Sequence, residues 1–195
     1  DFWGESYKQG TKVNNTPSHI YLRDDKNRKI YVKEINKEDK YGDSYIAVLK
    51  SEEVKEKLST LFSEYYDDFS IEGNYYSSLY YIDADKNISL DDYLANHKNG
   101  IRIMFYINSD DSVEQQREKV KSFVTKLKDN NIKITDIYFA FFDKNVDVKK
   151  IETDYSYEYS IDCISRNDSY NSSLINSYNA FWDIDKQDYN YMQSK

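Results

Sequence analysis

Apolar residues along this chain fall in short runs that switch between two periods, and the switches predict its elements. His19-Ile20-Tyr21-Leu22 and Lys29-Ile30-Tyr31-Val32 flank Asp24-Asp25-Lys26-Asn27, whose Asp and Asn side chains supply turn chemistry, so the spacing predicts a β-hairpin. Tyr45-Ile46-Ala47-Val48-Leu49 predicts a third strand after a charged connection around Gly42. From Ser51 the period lengthens. Val54, Leu58, Leu61, Phe62 and Tyr65 fall at helical spacing behind a Ser51 N-cap and the first-turn acids Glu52 and Glu53, which predicts an amphipathic helix over 51–66. Asp67-Asp68 ends it, and 69–82 reads as strand, interrupted at Gly73-Asn74.

The most legible stretch is 100–143. Ile101 to Ile107 is a strand pattern, and Asp111-Ser112-Val113-Glu114 reads as a capping box opening a helix. That helix places Val113, Val120, Phe123, Val124 and Leu127 on one stripe, and Asn130-Asn131 stops it. Residues 132–142 then return as a nearly continuous apolar run, the signature of a strand buried on both faces. Strand, helix, strand predicts a parallel crossover. The helix at 51–66 carries a similar stripe between strand patterns, so a second, degenerate βαβ unit over 44–82 is consistent with the spacing, although any two helices packed on a sheet share that look. Further on, Tyr155, Tyr157, Tyr159, Ile161 and Cys163 alternate with polar residues as in a half-buried strand. Leu174, Ile175, Tyr178, Phe181 and Trp182 have the spacing of a final helix behind Asn171-Ser172-Ser173. The reading is an α+β fold, a mixed sheet with the helices on one face, in one domain over 18–185. Residues 1–17 form an extended lead-in or tether and 186–195 a frayed tail.

Composition narrows what such a domain does. Of 195 residues 21 are Tyr, against five Gly, one Pro and one Cys, so the core is partly aromatic and its phenols need partners. The 27 basic and 35 acidic residues leave a net charge of −8. The densest basic run is only Lys149-Lys150, which argues against a nucleic-acid partner. No apolar run approaches the length of a spanning helix, and the lone Cys163 cannot close an internal disulfide. The polar opening at Asp1, without a methionine, reads as the product of a removed leader.

Candidate chemistry is sparse. Asp83, Asp85, Asn87, Ser89 and Asp91 place oxygens at the spacing of a calcium loop, so Ca2+ is the one ion with a candidate site. Ile88 stands where such a loop needs glycine and Leu94 where it needs a closing Glu, and an Asp-Lys-Asn turn followed by a Ser89-capped helix accounts for the same residues. His19 and His97 have no partners at ligand spacing, and neither a nucleophile elbow nor a phosphate loop can be assembled from the five glycines. Tyr75, Tyr76, Tyr80 and Tyr81, with the ladder Tyr155, Tyr157 and Tyr159, are candidates for an aromatic binding platform, set against their use as core and cross-strand packing.

As a whole, the Lys/Asn/Tyr/Ile-rich, cysteine-poor chain with its polar lead-in resembles the mature part of an exported lipoprotein of a low-GC Gram-positive bacterium. That resemblance implies an extracellular domain at the cell envelope, attached to the membrane only through a lipid anchor upstream of Asp1. The expected role is non-enzymatic, binding or accessory, with a protein, peptide or glycan partner and no cofactor. Two other classes stay open: a metal-dependent hydrolase built on the Asp cluster, and an acidic intracellular inhibitor or immunity protein that masks a basic partner.

Overall fold

The computed structural model describes residues 20–36, 40–74, 85–96, 98, 100–151 and 173–193. The expected hairpin is present. β1 (Ile20–Arg23) and β2 (Lys29–Asn36) pair antiparallel with Tyr21 opposite Tyr31 and Leu22 opposite Ile30. Asp24 holds the turn: its Oδ1 accepts from the Lys26 and Arg28 amides at 3.0 and 2.8 Å, and its Oδ2 from Arg28 Nε at 2.7 Å. Asn27 takes the left-handed region at φ 62°, which Asn tolerates. β3 (Lys40–Asp43) completes an antiparallel sheet in the order β1-β2-β3.

The third strand predicted at 45–49 is instead the start of a helix, α1 (Tyr45–Phe62). Ala47, Ser51, Val54, Leu58 and Phe62 are all buried, one helical stripe that runs straight through the segment. Ser51 is therefore interior rather than a cap, its hydroxyl donating back to the Val48 carbonyl at 2.8 Å. The helix is entered through Asp43, whose Oδ1 accepts from the Tyr45 amide at 2.8 Å. The hairpin is tied to it by Arg28, which donates to the Val48 carbonyl at 3.0 Å.

Five strands form the second sheet, in the order β4-β5-β6-β7-β8. They are β4 (Phe69–Asn74), β5 (Arg102–Asn108), β6 (Asp136–Phe142), β7 (Leu174–Asp183) and β8 (Asp188–Gln193). Between them lie α2 (Leu90–Ala95), α3 (Val113–Asp129) and α4 (Val148–Ile151). β6 is central, as its apolar run predicts, and pairs parallel with β5 from Arg102↔Asp136 to Asn108↔Phe142; every other pairing is antiparallel. The βαβ unit at 100–143 is thus β5–α3–β6. The cap of α3 falls one residue later than predicted: Ser112 Oγ accepts from the Gln115 amide, and Gln115 Oε1 from the Ser112 amide. No second crossover exists in the described part of 44–82, because 45–62 are one helix and β4 joins β5 antiparallel.

Alternation along the strands sorts the core into two layers. On one face Ile103, Phe105, Ile107, Ile137, Phe139 and Phe141 meet the stripes of α1 and α3. Phe62 sits at the meeting point, its ring centroid 4.3, 4.8 and 5.0 Å from those of Phe105, Phe123 and Phe69. On the other, Met104, Tyr106, Tyr138, Ala140 and Phe142 pack under Val148 and Ile151 of α4 and Leu174. The two long helices share one face of a mixed sheet, an α+β fold.

Two expectations at the C-terminus are corrected. Residues 174–183 are strand β7, with Asn176, Tyr178, Ala180 and Trp182 buried on alternate positions. Asn176 does not read as apolar, and Ile175 and Phe181 place apolar residues on the other face, so the true alternation is hidden and a false helical spacing remains. The tail predicted to fray contains β8, hydrogen-bonded to β7 and pinned by Tyr189. The Tyr189 hydroxyl donates to the Ile132 carbonyl at 2.8 Å and accepts from the Ile134 amide at 2.7 Å. The lead-in at 1–17 and the strand expected at 155–163 lie outside the described residues.

Candidate functional site

A sheet with a parallel pair offers ligands a crevice beyond the carboxyl ends of those strands. Here β5 ends at Asn108 and β6 at Phe142, while the antiparallel neighbours β4 and β7 begin at the same rim, since Phe69 faces Ile107 and Leu174 faces Phe142. The loops at 66–68, 109–112 and 143–147 therefore meet at one end of the molecule, beside the N-terminus of α3.

Side-chain amides hold this rim shut. Asn108 is buried, its Nδ2 donating to the Asp143 carbonyl at 2.8 Å and its amide to the Asp68 carbonyl at 3.0 Å, which joins three loops. Gln116, with no exposed surface, donates from Nε2 to the Asp111 carbonyl at 3.1 Å. Asn176 Nδ2 donates to Gln116 Oε1 at 3.2 Å and to the Tyr178 hydroxyl at 2.7 Å, and that hydroxyl donates to the Val113 carbonyl at 2.9 Å. Beneath the amides lie aromatic rings: the Phe141 centroid is 5.7 Å from that of Tyr66 and 5.8 Å from that of Tyr178, each edge-on. Among the described residues, polar bonds and rings thus fill the place where a crevice would open.

The outer surface of the rim is acidic. Asp67, Asp68, Asp110, Glu114, Asp143 and Asp147 are exposed. Lys144 pairs with Asp110, and Lys150 with Asp147 at 3.2 Å. Slightly deeper, Asp111 pairs with Lys119 at 2.7 Å, and the same ammonium stands 4.5 Å above the Tyr66 ring. Burial alone would raise the Asp111 carboxyl, but the hydrogen bond and charge of Lys119 outweigh it and hold the group below the usual carboxylate range. Burial, reinforced by the Asp111 charge, pushes the Tyr66 phenol well above its ordinary value. Both groups keep one protonation state at neutral pH, so neither is poised for proton transfer.

Of the predicted calcium-loop residues, those described serve as turn and cap. Asp85 Oδ1 accepts from the Asn87 amide at 2.8 Å. Ser89 caps α2, its Oγ accepting from the Asp92 amide at 3.1 Å and donating to Asp92 Oδ2 at 2.7 Å, while Asp91 reaches Lys57 of α1 at 3.7 Å. Asp143 Oδ1 accepts from the Asn145 amide at 2.9 Å in the same way, so this Asp-Lys-Asn sequence also makes a turn. Among the described residues no group of three or more His, Cys, Asp or Glu side chains is arranged to hold a metal ion. Asp83 lies outside the described residues, as do Tyr75, Tyr76, Tyr80, Tyr81, Tyr155, Tyr157, Tyr159 and both histidines.

Sequence reasoning missed Gln116, Asn176 and Asn108. Gln116 carried a readable signal, because it stands four residues before Val120 on the apolar stripe of α3, where a polar residue must find an internal partner. Asn176 had none, since its segment read as a helix. No protein family, curated protein sequence or solved structure matches this chain.

Proposed function

We propose that the chain is a non-enzymatic binding or accessory domain displayed at the cell envelope by a lipid anchor upstream of Asp1, and that its partner is a protein or peptide surface of positive charge. The observation that carries the binding part is the filled rim. Where a parallel β-pair most readily forms a substrate crevice, this chain has Gln116, Asn176 and Tyr178 bonded to one another over packed rings, and it turns exposed carboxylates outward. Such a surface suits contact with a broad cationic face better than enclosure of a small substrate. The envelope part rests on the lipoprotein-like composition.

A second reading, an acidic intracellular inhibitor or immunity protein masking a basic partner, draws on the same rim. The two part on location. The full gene product, expressed in a low-GC Gram-positive host, should incorporate labelled fatty acid, fractionate with the membrane and be cut by protease added to intact cells. Recovery of an unlabelled, protected product from the cytosol would overturn the envelope reading and favour the inhibitor.

A further inference from the structure

β8 forms one edge of the five-stranded sheet. It pairs with β7 from Tyr178↔Gln193 to Asp183↔Asp188, and among the described residues nothing pairs with its outer side. Sheet edges that stay solitary are blunted by lysine, proline, a bulge or a covering element. The sequence Asp188-Tyr189-Asn190-Tyr191-Met192-Gln193 contains neither lysine nor proline, and its register with β7 runs without a shift. Tyr191 is 42% exposed and Met192 56%, on opposite faces of the strand. Of the five large apolar side chains exposed among the described residues, four (Ile175, Ile184, Tyr191 and Met192) belong to the β7–β8 hairpin, so the apolar surface is concentrated here.

The charges around this edge select the occupant. Two chains of net charge −8 repel each other overall. Beside β8, however, the acids are matched: Asp188 with Lys128 at 2.7 Å, Glu118 with Lys121 at 3.2 Å and Asp183 with Lys186 at 3.1 Å. A cationic peptide finds these carboxylates already taken, whereas a second copy presents the same neutral, half-apolar edge. Antiparallel self-pairing is also geometrically simple. Directly opposed residues share a face, and a twofold axis normal to the sheet preserves faces, so opposed residue numbers must sum to an even value. The register that sets Tyr191 against Tyr191 pairs Asn190 with Met192 and Tyr189 with Gln193. It makes an aromatic cross-strand pair and opposes no two acids.

The geometry points to β8 as the site where a second copy of this chain adds, strand to strand, continuing the five-stranded sheet across a twofold dimer. Sedimentation equilibrium on the full chain up to about 1 mM, the weak end of specific affinity, should fit a monomer–dimer equilibrium. Tyr191→Lys and Met192→Lys, both at exposed positions, should weaken the dimer at least about tenfold, as an edge lysine does, with far-UV circular dichroism unchanged. Ile184→Lys, equally exposed but in the turn, should leave it intact. A monomer throughout, a dimer indifferent to both edge lysines, or assembly beyond the dimer would each overturn the proposal. So would a monomer that binds an extended peptide along β8, which would assign the edge to a different partner. None of these outcomes bears on where the protein resides in the cell.

Discussion

Gln116 shows what one polar side chain does inside this core. Its amide links the loop before α3 to β7, with both ends bonded and no surface exposed. Gln116→Leu fills the space but removes both bonds, so it should lower the unfolding free energy by about 2 kcal/mol in chemical denaturation. Asn176→Ala added to that variant should cost less than it does alone, a coupling of roughly 1 kcal/mol in a double-mutant cycle, because the two residues share one bond. Strict additivity would mean that the network holds nothing together. Asp183 governs the β7–β8 turn in a pH-dependent way. The Asn190 side-chain bond, then those from the Lys186 side chain and amide, hold its carboxyl down to about 2 from an ordinary 3.8. A carboxyl lowered by folding contributes stability that is complete above the unfolded value and is lost as pH falls toward the folded one. The thermal midpoint should therefore drop between pH 3.8 and 2, and Asp183→Asn should make that drop shallower; an equal drop in the variant would refute the assignment.

At the scale of elements, the legible parts were those where local chemistry and burial agree. α3 has a stripe, a stop signal and a cap, and β6 has an apolar run that only an interior strand can bury, so the crossover could be read in advance. Ser112→Ala should cost about 1 kcal/mol in thermal unfolding, because it removes one side of the capping box from a helix whose packing is otherwise untouched. Tyr45 to Leu49 misled because Ile46 and Val48 favour strands, while the preference of Ala47 and Leu49 for helix and the continuation of the buried stripe to Phe62 decided the outcome. At 174–183 the inward positions include Asn176, which hydropathy does not mark, while Ile175 and Phe181 are apolar on the other face, so the strand was hidden. The candidate rim was legible only at Gln116, a polar residue on the apolar stripe of α3. Its stapling depends on Asn108 reaching Asp143 and Gln116 reaching Asn176, contacts 35 and 60 residues apart in sequence.

For the whole molecule, the two sheets differ in what covers them. The five-stranded sheet is packed on both faces, with Phe105, Phe139 and Phe141 of its parallel pair wholly buried under α1 and α3 and Met104, Ala140 and Phe142 under α4. The three-stranded sheet meets α1 through β2 and through the Arg28 bond to Val48; Ile30 of β2 is 1% exposed, while the turn residues Asp25, Lys26 and Asn27 are exposed. Opening free energy follows buried apolar contact, so the two should not open together. Native-state hydrogen exchange should find the slowest amides in β5 and β6, exchanging only by global unfolding, and faster exchange in β1 and β2 by a smaller opening. Phe62→Ala removes the ring at the centre of the larger core and should cost about 3 to 5 kcal/mol. That loss should accelerate β5 and β6 by the full amount and leave the local opening of β1 and β2 nearly unchanged. Uniform acceleration of β1, β2, β5 and β6 would show that the small sheet is held by the large core rather than opening on its own.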